Sequence, residues 1–219
     1  MEVIKCENLQ VKYGNEVVIS DANFALDRGE LLCIVGEKRA GKSTLLKAIM
    51  GFVKASKGKV IIDKDTKKKG IGFVPQDDSQ SGLTTSVGDV IKAGSLVRKS
   101  FFIRNNAKDD KYEGIVNALK LNKVEDRTFS DLSGGQRKKV ILARALMATE
   151  DLLVMDNPMA ELDPLACADF LDIVVELNKA GISVLMATGD EEIAKKTGGR
   201  LLYLRDGILT DKKWDFLEN

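Results

Sequence analysis

The stretch LLCIVGEKRAGKSTLLKAIMGF, residues 31 to 52, constrains the fold more than any other part of the chain. Leu31 to Val35 is a continuous apolar run, the pattern of a strand buried on both faces. Gly36 and Gly41 bracket four residues, and Lys42, Ser43 and Thr44 open an apolar-periodic segment through Leu45, Leu46, Ile49 and Met50. Strand, glycine loop and helix with the G-x-x-x-x-G-K-S spacing make a phosphate-binding loop. The glycines permit a tight turn in which the backbone N–H groups of residues 37 to 43 converge on phosphate oxygens. The helix opening near Lys42 turns its positive end toward the anion. Lys42 then reaches the β- and γ-phosphates, and the Ser43 hydroxyl ligates Mg²⁺. Glycines in an ordinary turn would be the plainer reading, but the full spacing and the flanking strand and helix favour nucleotide binding.

Composition narrows the class. The 219 residues, 44% hydrophobic, suffice for one substantial core or for a core plus a lobe. Lys plus Arg (34) nearly balance Asp plus Glu (33), a net charge of +1, so no global field favours nucleic acid or acidic lipid. Cys6, Cys33 and Cys167 are widely spaced, which fits reduced thiols in a cytosolic protein better than a disulfide scaffold. No apolar run is long enough to span a bilayer, and the N-terminus lacks the apolar run of a signal peptide.

Short strands are expected at Val3–Cys6, Val11–Tyr13, Val17–Ile19 and Asn23–Leu26, separated by turn signals at Gly14-Asn15 and Asp27-Arg28-Gly29. Further strands are expected at Lys59–Ile62 and Ile71–Val74, with the lysine run 64–69 as a solvated hairpin tip. From about Asp77 to Ser130 strand signals vanish. Helical patterns at Val87–Val97 and Tyr112–Leu121, joined by polar segments such as 104–108, predict a helical lobe inserted into an α/β core. The core resumes with a strand at Leu152–Met155, a helix at Leu165–Leu177, a strand at Ser183–Met186, a short helix at Glu191–Lys195 and a strand at Leu201–Leu204.

Residues 132 to 136 read LSGGQ, and Asp156 ends a later apolar run. Phosphate loop, LSGGQ and strand-terminal Asp in this order resemble the nucleotide-binding domain of ATP-binding-cassette (ABC) transporters, over nearly the whole chain. The resemblance implies a RecA-like P-loop NTPase core with an N-terminal antiparallel β subdomain. Core and β subdomain take residues 1–76 and 151–219, and the helical lobe about 77–150. Tyr13 falls at the family's adenine-stacking aromatic, Gln76 at its Q-loop and Ala160-Glu161-Leu162-Asp163 at its D-loop. The nucleotide-binding set is therefore Tyr13, Gly36, Glu37, Lys38, Arg39, Ala40, Gly41, Lys42, Ser43 and Thr44, with Ser43, Gln76 and Asp156 holding Mg²⁺. Leu132, Ser133, Gly134, Gly135 and Gln136 form a second anion-binding helix start, which resembles the site a partner subunit offers in trans.

The resemblance further implies ATP sandwiched between two ATP-binding subunits, coupled to membrane permease subunits on the inner face of the membrane, with no nucleic acid involved. The lobe and the segment SVGDVIKAG are most similar to importers of zinc, manganese or iron.

Three positions depart from the family pattern. Asn157 stands where a Glu usually polarises the attacking water, and Gly189 where a switch histidine is usual, in a chain with no histidine at all. Arg39, preceded by Lys38, replaces a small residue of the loop. Lys42, Gln76 and Asp163 remain as candidate catalytic groups, and hydrolysis at this chain's own site is expected to be impaired. Losing a general base costs about 10²–10⁴-fold in rate. The alternatives are a non-hydrolysing, ATP-clamping subunit of a heterodimer, or a soluble ABC protein outside transport.

Overall fold

The computed structural model describes residues 1–76, 84–97 and 106–212. β1 (Glu2–Tyr13) and β2 (Glu16–Asp27) form an antiparallel hairpin around Gly14 and Asn15. Two long strands thus stand where the sequence shows four short ones. Register shifts between Cys6 and Leu9, and again before Val11, let pairing continue past the polar residues that seemed to break it.

β3 (Leu31–Val35) does not fold back on β2. The turn at Asp27–Gly29 instead carries the chain into a parallel layer, where β3 lies between β7 (Ser183–Thr188) and β8 (Arg200–Arg205). β6 (Leu152–Asp156) follows beyond β7, and β5 (Ile71–Val74) beyond β6, all parallel. β4 (Lys57–Ile62) pairs antiparallel with β1 at the opposite edge. The order is β4-β1-β2-β9-β8-β3-β7-β6-β5, where β9 (Ile208–Thr210) joins the two parts by one pair, Asp21 with Ile208. This mixed sheet with helices on its faces is a P-loop NTPase fold.

Because β4 and β5 occupy opposite edges, residues 64–69 cannot be a hairpin tip. They form a helix, α2 (Lys64–Lys69), that carries the chain across. The Asp63 carboxylate caps it by accepting from the N–H groups of Asp65 (3.1 Å) and Thr66 (3.0 Å). Lys67, Lys68 and Lys69 fall in its last turn, where the helix dipole favours cations.

α1 (Lys42–Ile49) follows β3 and buries Leu45, Leu46, Ala48 and Ile49 under the antiparallel layer. Burying each of the larger side chains contributes about 1.5–3 kcal/mol. The side chains of β3 alternate: Leu32 and Ile34 join that core, while Leu31, Cys33 and Val35 face the other helices. Those are α3 (Val87–Ala93), α4 (Asn106–Ala118), α5 (Gly134–Ala148) and α6 (Pro164–Lys179), with α7 (Glu191–Lys196) near the end. A 3-10 turn, Gly94–Val97, ends the segment that reads as one helix in the sequence. The second helix starts at Asn106 rather than Tyr112, so residues 106–108 of the expected polar link are helical and 104–105 lie outside the described residues. Val87, Ile91, Val116 and Phe129 of the helical region share one buried cluster with Cys33, Val35 and Met186 of the sheet.

Candidate functional site

The loop at residues 36–44 closes on the carboxyl end of β3, where an open α/β sheet binds its ligand. Gly36 is required there by close approach: a Cβ would lie 2.3 Å from the Leu204 carbonyl oxygen. Gly41 has φ +102°, and a Cβ would come within 2.9 Å of Ile19. Gly41 is also the N-cap of α1 and has no side chain to occupy the first N–H groups of the helix, which stay available to an anion. Lys42 folds back over the loop, its Nζ donating to the carbonyls of Gly36 (2.6 Å) and Glu37 (2.8 Å). Burial lowers the Lys42 pKa, and the nearby Asp156 carboxylate partly opposes that shift.

Parallel register gathers the other candidates around this loop. Val35 of β3 pairs with Thr188 of β7, and Ala187 of β7 pairs with Asp156 of β6, so Gly189 and Asn157 leave adjacent strands at the same edge. A cavity of about 410 Å³ is lined by Lys38, Arg39, Gly41, Lys42, Ser43 and Thr44 together with Gln76, Asn157 and Gly189. Val18 of β2 also lines it. Gly36, Glu37 and Ala40 face a second cavity, of about 430 Å³, which the first adjoins through Lys38, Arg39 and Gly189. Asp156 is buried at 4% exposure, and its Oδ1 has no hydrogen-bond partner among the described residues. A buried carboxylate oxygen left without a partner is a position that a cation would satisfy.

Other expected residues stand apart. Tyr13 is 49% exposed at the β1–β2 turn and does not line the cavity. Asp163 caps α6, its Oδ1 accepting from Leu165 (3.0 Å) and Ala166 (2.9 Å). Ser133 caps α5 in a reciprocal box: its Oγ accepts from the Gln136 N–H, while the Gln136 side chain accepts from the Ser133 N–H. Leu132 beside it is buried. Gly135 faces the start of α6, where a Cβ would lie 3.0 Å from that of Ala166, and Gly134 faces Leu162 just before it. None of these five lines the cavity formed by this chain's own loop.

Sequence reasoning missed Lys138. Buried at 5% exposure, it donates from Nζ to the Gln76 carbonyl (2.8 Å) and so ties α5 to the segment after β5. The signal was there: Lys138, Ile141, Leu142 and Ala145 share one face of α5 at helical spacing, and three of the four are apolar. Val18 carried no comparable mark.

The family described as ABC transporter matches residues 19–160. The chain belongs to the ABC transporter family. Among curated ABC proteins, the zinc transport system ATP-binding protein AdcC of Streptococcus pneumoniae is 30% identical over 93% of this chain and 90% of its own length. The manganese transport system ATP-binding protein MntB of Bacillus subtilis is likewise 30% identical, over 95% and 97%. Among solved structures, a nucleotide-free ATP-binding cassette from an ABC transporter superposes with TM-score 0.80 at 27% identity, covering 95% of this chain and 90% of that one. The loop at 36–44, Gln76, LSGGQ at 132–136 and Asp156 all fall within the matched residues. No helix among the described residues is long and apolar enough to cross a membrane.

Proposed function

We propose that this chain is the ATP-binding subunit of an importer for a metal ion. It binds Mg-ATP at an interface with a second ATP-binding subunit and couples ATP turnover to a membrane permease on the cytoplasmic face. The observation that carries this reading is the cavity in which Lys42, Ser43, Thr44 and Gln76 meet, beside the partnerless Asp156 oxygen. The names of the zinc and manganese relatives support the cargo class.

Each residue has a physical task. The α1 N-terminus and Lys42 hold the phosphates, and Tyr13 offers its exposed ring to the adenine. Ser43, Gln76 and Asp156 supply the oxygen donors that fit Mg²⁺. When bound, the ion neutralises charge on the β- and γ-phosphates. LSGGQ and Asp163 lie outside this chain's own cavity, as groups serving a partner's nucleotide would, and the permease docks around Gln76 and the segment after it, which begins outside the described residues.

Hydrolysis at this chain's own site is slow. An amide at Asn157 cannot take a proton from water, and Gly189 presents no side chain, so positioning and electrostatics carry what turnover there is. The same two residues favour a second reading, in which the chain clamps ATP for a catalytic partner subunit.

Steady-state phosphate release from the purified protein, compared with Lys42→Ala, tests the ATPase reading. A low rate abolished by Lys42→Ala is expected. Equal rates in the two proteins would remove the enzyme reading, and ATP-dependent pairing with a subunit carrying Glu and His at these positions would then favour the clamp.

A further inference from the structure

Gly189 leaves a space, and two cations of the phosphate loop border it. A Cβ built on Gly189 meets only the Gly36 carbonyl oxygen, at 3.7 Å, an ordinary contact. The space is therefore open toward the loop. Lys38 and Arg39 line both cavities that meet at Gly189, and both are exposed. Among the described residues, neither has a hydrogen bond or ion pair, whereas Lys42 is engaged by two carbonyls.

Among the described residues, no acidic side chain forms an ion pair with either of them. Glu191 bonds to Lys195 at 3.1 Å, and Asp206 to Arg205 at 3.6 Å. Glu37 lines the second cavity only, away from Gln76, Ser43 and Asn157. Arg39 also holds a left-handed backbone, φ +73°, that a long side chain adopts at a cost. A costly conformation at a ligand loop suggests a role for the residue that bears it.

We propose that Lys38 and Arg39 recognise the terminal phosphate of ATP in the space left by Gly189, and so make this subunit discriminate ATP from ADP by charge. The inference rests on the nucleotide-binding reading given above. ATP carries one more negative charge than ADP, so cations at this position favour ATP selectively, while the α1 N-terminus and Lys42 serve both nucleotides. Charge-assisted contacts are the strong class of hydrogen bond.

Equilibrium titration of the full chain with Mg-ATP and Mg-ADP tests it, using wild type and Lys38→Gln with Arg39→Gln. The neutral side chains are somewhat shorter, keep the polar character and the backbone strain, and remove the charge. We expect the double variant to lose about ten-fold or more in its preference for ATP over ADP, the size of one charge-assisted contact. Retained ADP binding reports that the loop is folded. A parallel loss for both nucleotides, or no loss for either, would overturn the inference and leave the nucleotide site standing. If the wild type bound neither nucleotide, the nucleotide site itself would fall, and this inference with it.

Discussion

At the scale of single residues, the cavity owes its character to two positions, Asn157 and Gly189, with different physical consequences. Asn157 sits at φ +44°, where asparagine is among the few tolerated non-glycine residues, and its N–H donates to Ala187 (2.8 Å). A glutamate there would recover a proton acceptor at the expense of strain. Asn157→Glu is expected to lower stability by about 1 kcal/mol, read from urea unfolding at neutral pH, and Asn157→Gly to lower it less. Equal midpoints for asparagine and glutamate would contradict the strain argument. Gly189 is the simpler case: the structure leaves room for a side chain and the sequence declines to supply one.

At the scale of elements, the crossover from one sheet edge to the other is fastened by charge. Arg28, in the turn before β3, pairs with Asp151 at the start of β6 and lies 3.4 Å from Asp63, the N-cap of α2. Thr66 of α2 donates to the same Asp151 (2.7 Å). Burial pushes the Asp151 pKa up, but the Thr66 hydrogen bond and the Arg28 and Lys69 charges outweigh it and hold the carboxyl below its usual value. The native state therefore binds the proton less readily than the unfolded chain. Its contribution to stability is present above the unfolded pKa, about 4, and is lost as pH falls through the lower folded value. Asp151→Asn is expected to cost about 2 kcal/mol at pH 7 and to narrow that gap by pH 3. Denaturant unfolding of both proteins at the two pH values checks it, and a gap that held constant would mean that packing, not charge, is lost.

This crossover also marks the limit of what the sequence discloses. β3 and α1 were legible because an apolar run and a glycine pair act locally. α2 was not, because a lysine run reads the same in a hairpin tip and in a short capped helix, and the pairing of β4 with β1 is a contact distant in the chain. β9 is three residues long and escaped notice, although Asp206-Gly207, with φ +48° and +75°, is a hairpin turn signal.

At the scale of the whole molecule, order along the chain and order in the sheet serve the same site. The loop after β3, Gly189 after β7, Asn157 after β6 and Gln76 after β5 come from four adjacent parallel strands, so the parallel register sets their spacing. Motif order in the sequence was enough to bring these residues onto one list. It set LSGGQ apart as a second site but was not enough to separate Asp163, which caps α6 and does not line the cavity, from the groups around Lys42. Lys138 then joins the helix that LSGGQ opens to the Gln76 backbone, a link between the two sites that motif matching does not contain.

The central claim is that the cradle is intact and the hydrolytic groups are missing. Phosphate release by Asn157→Glu with Gly189→His, compared with wild type at saturating Mg-ATP, tests it most directly. The expected result is a rise of about 10²-fold or more, with ATP affinity changed by no more than a few-fold. A double variant no faster than the wild type would contradict the claim, since the absent carboxylate and imidazole would then not be what limits this site.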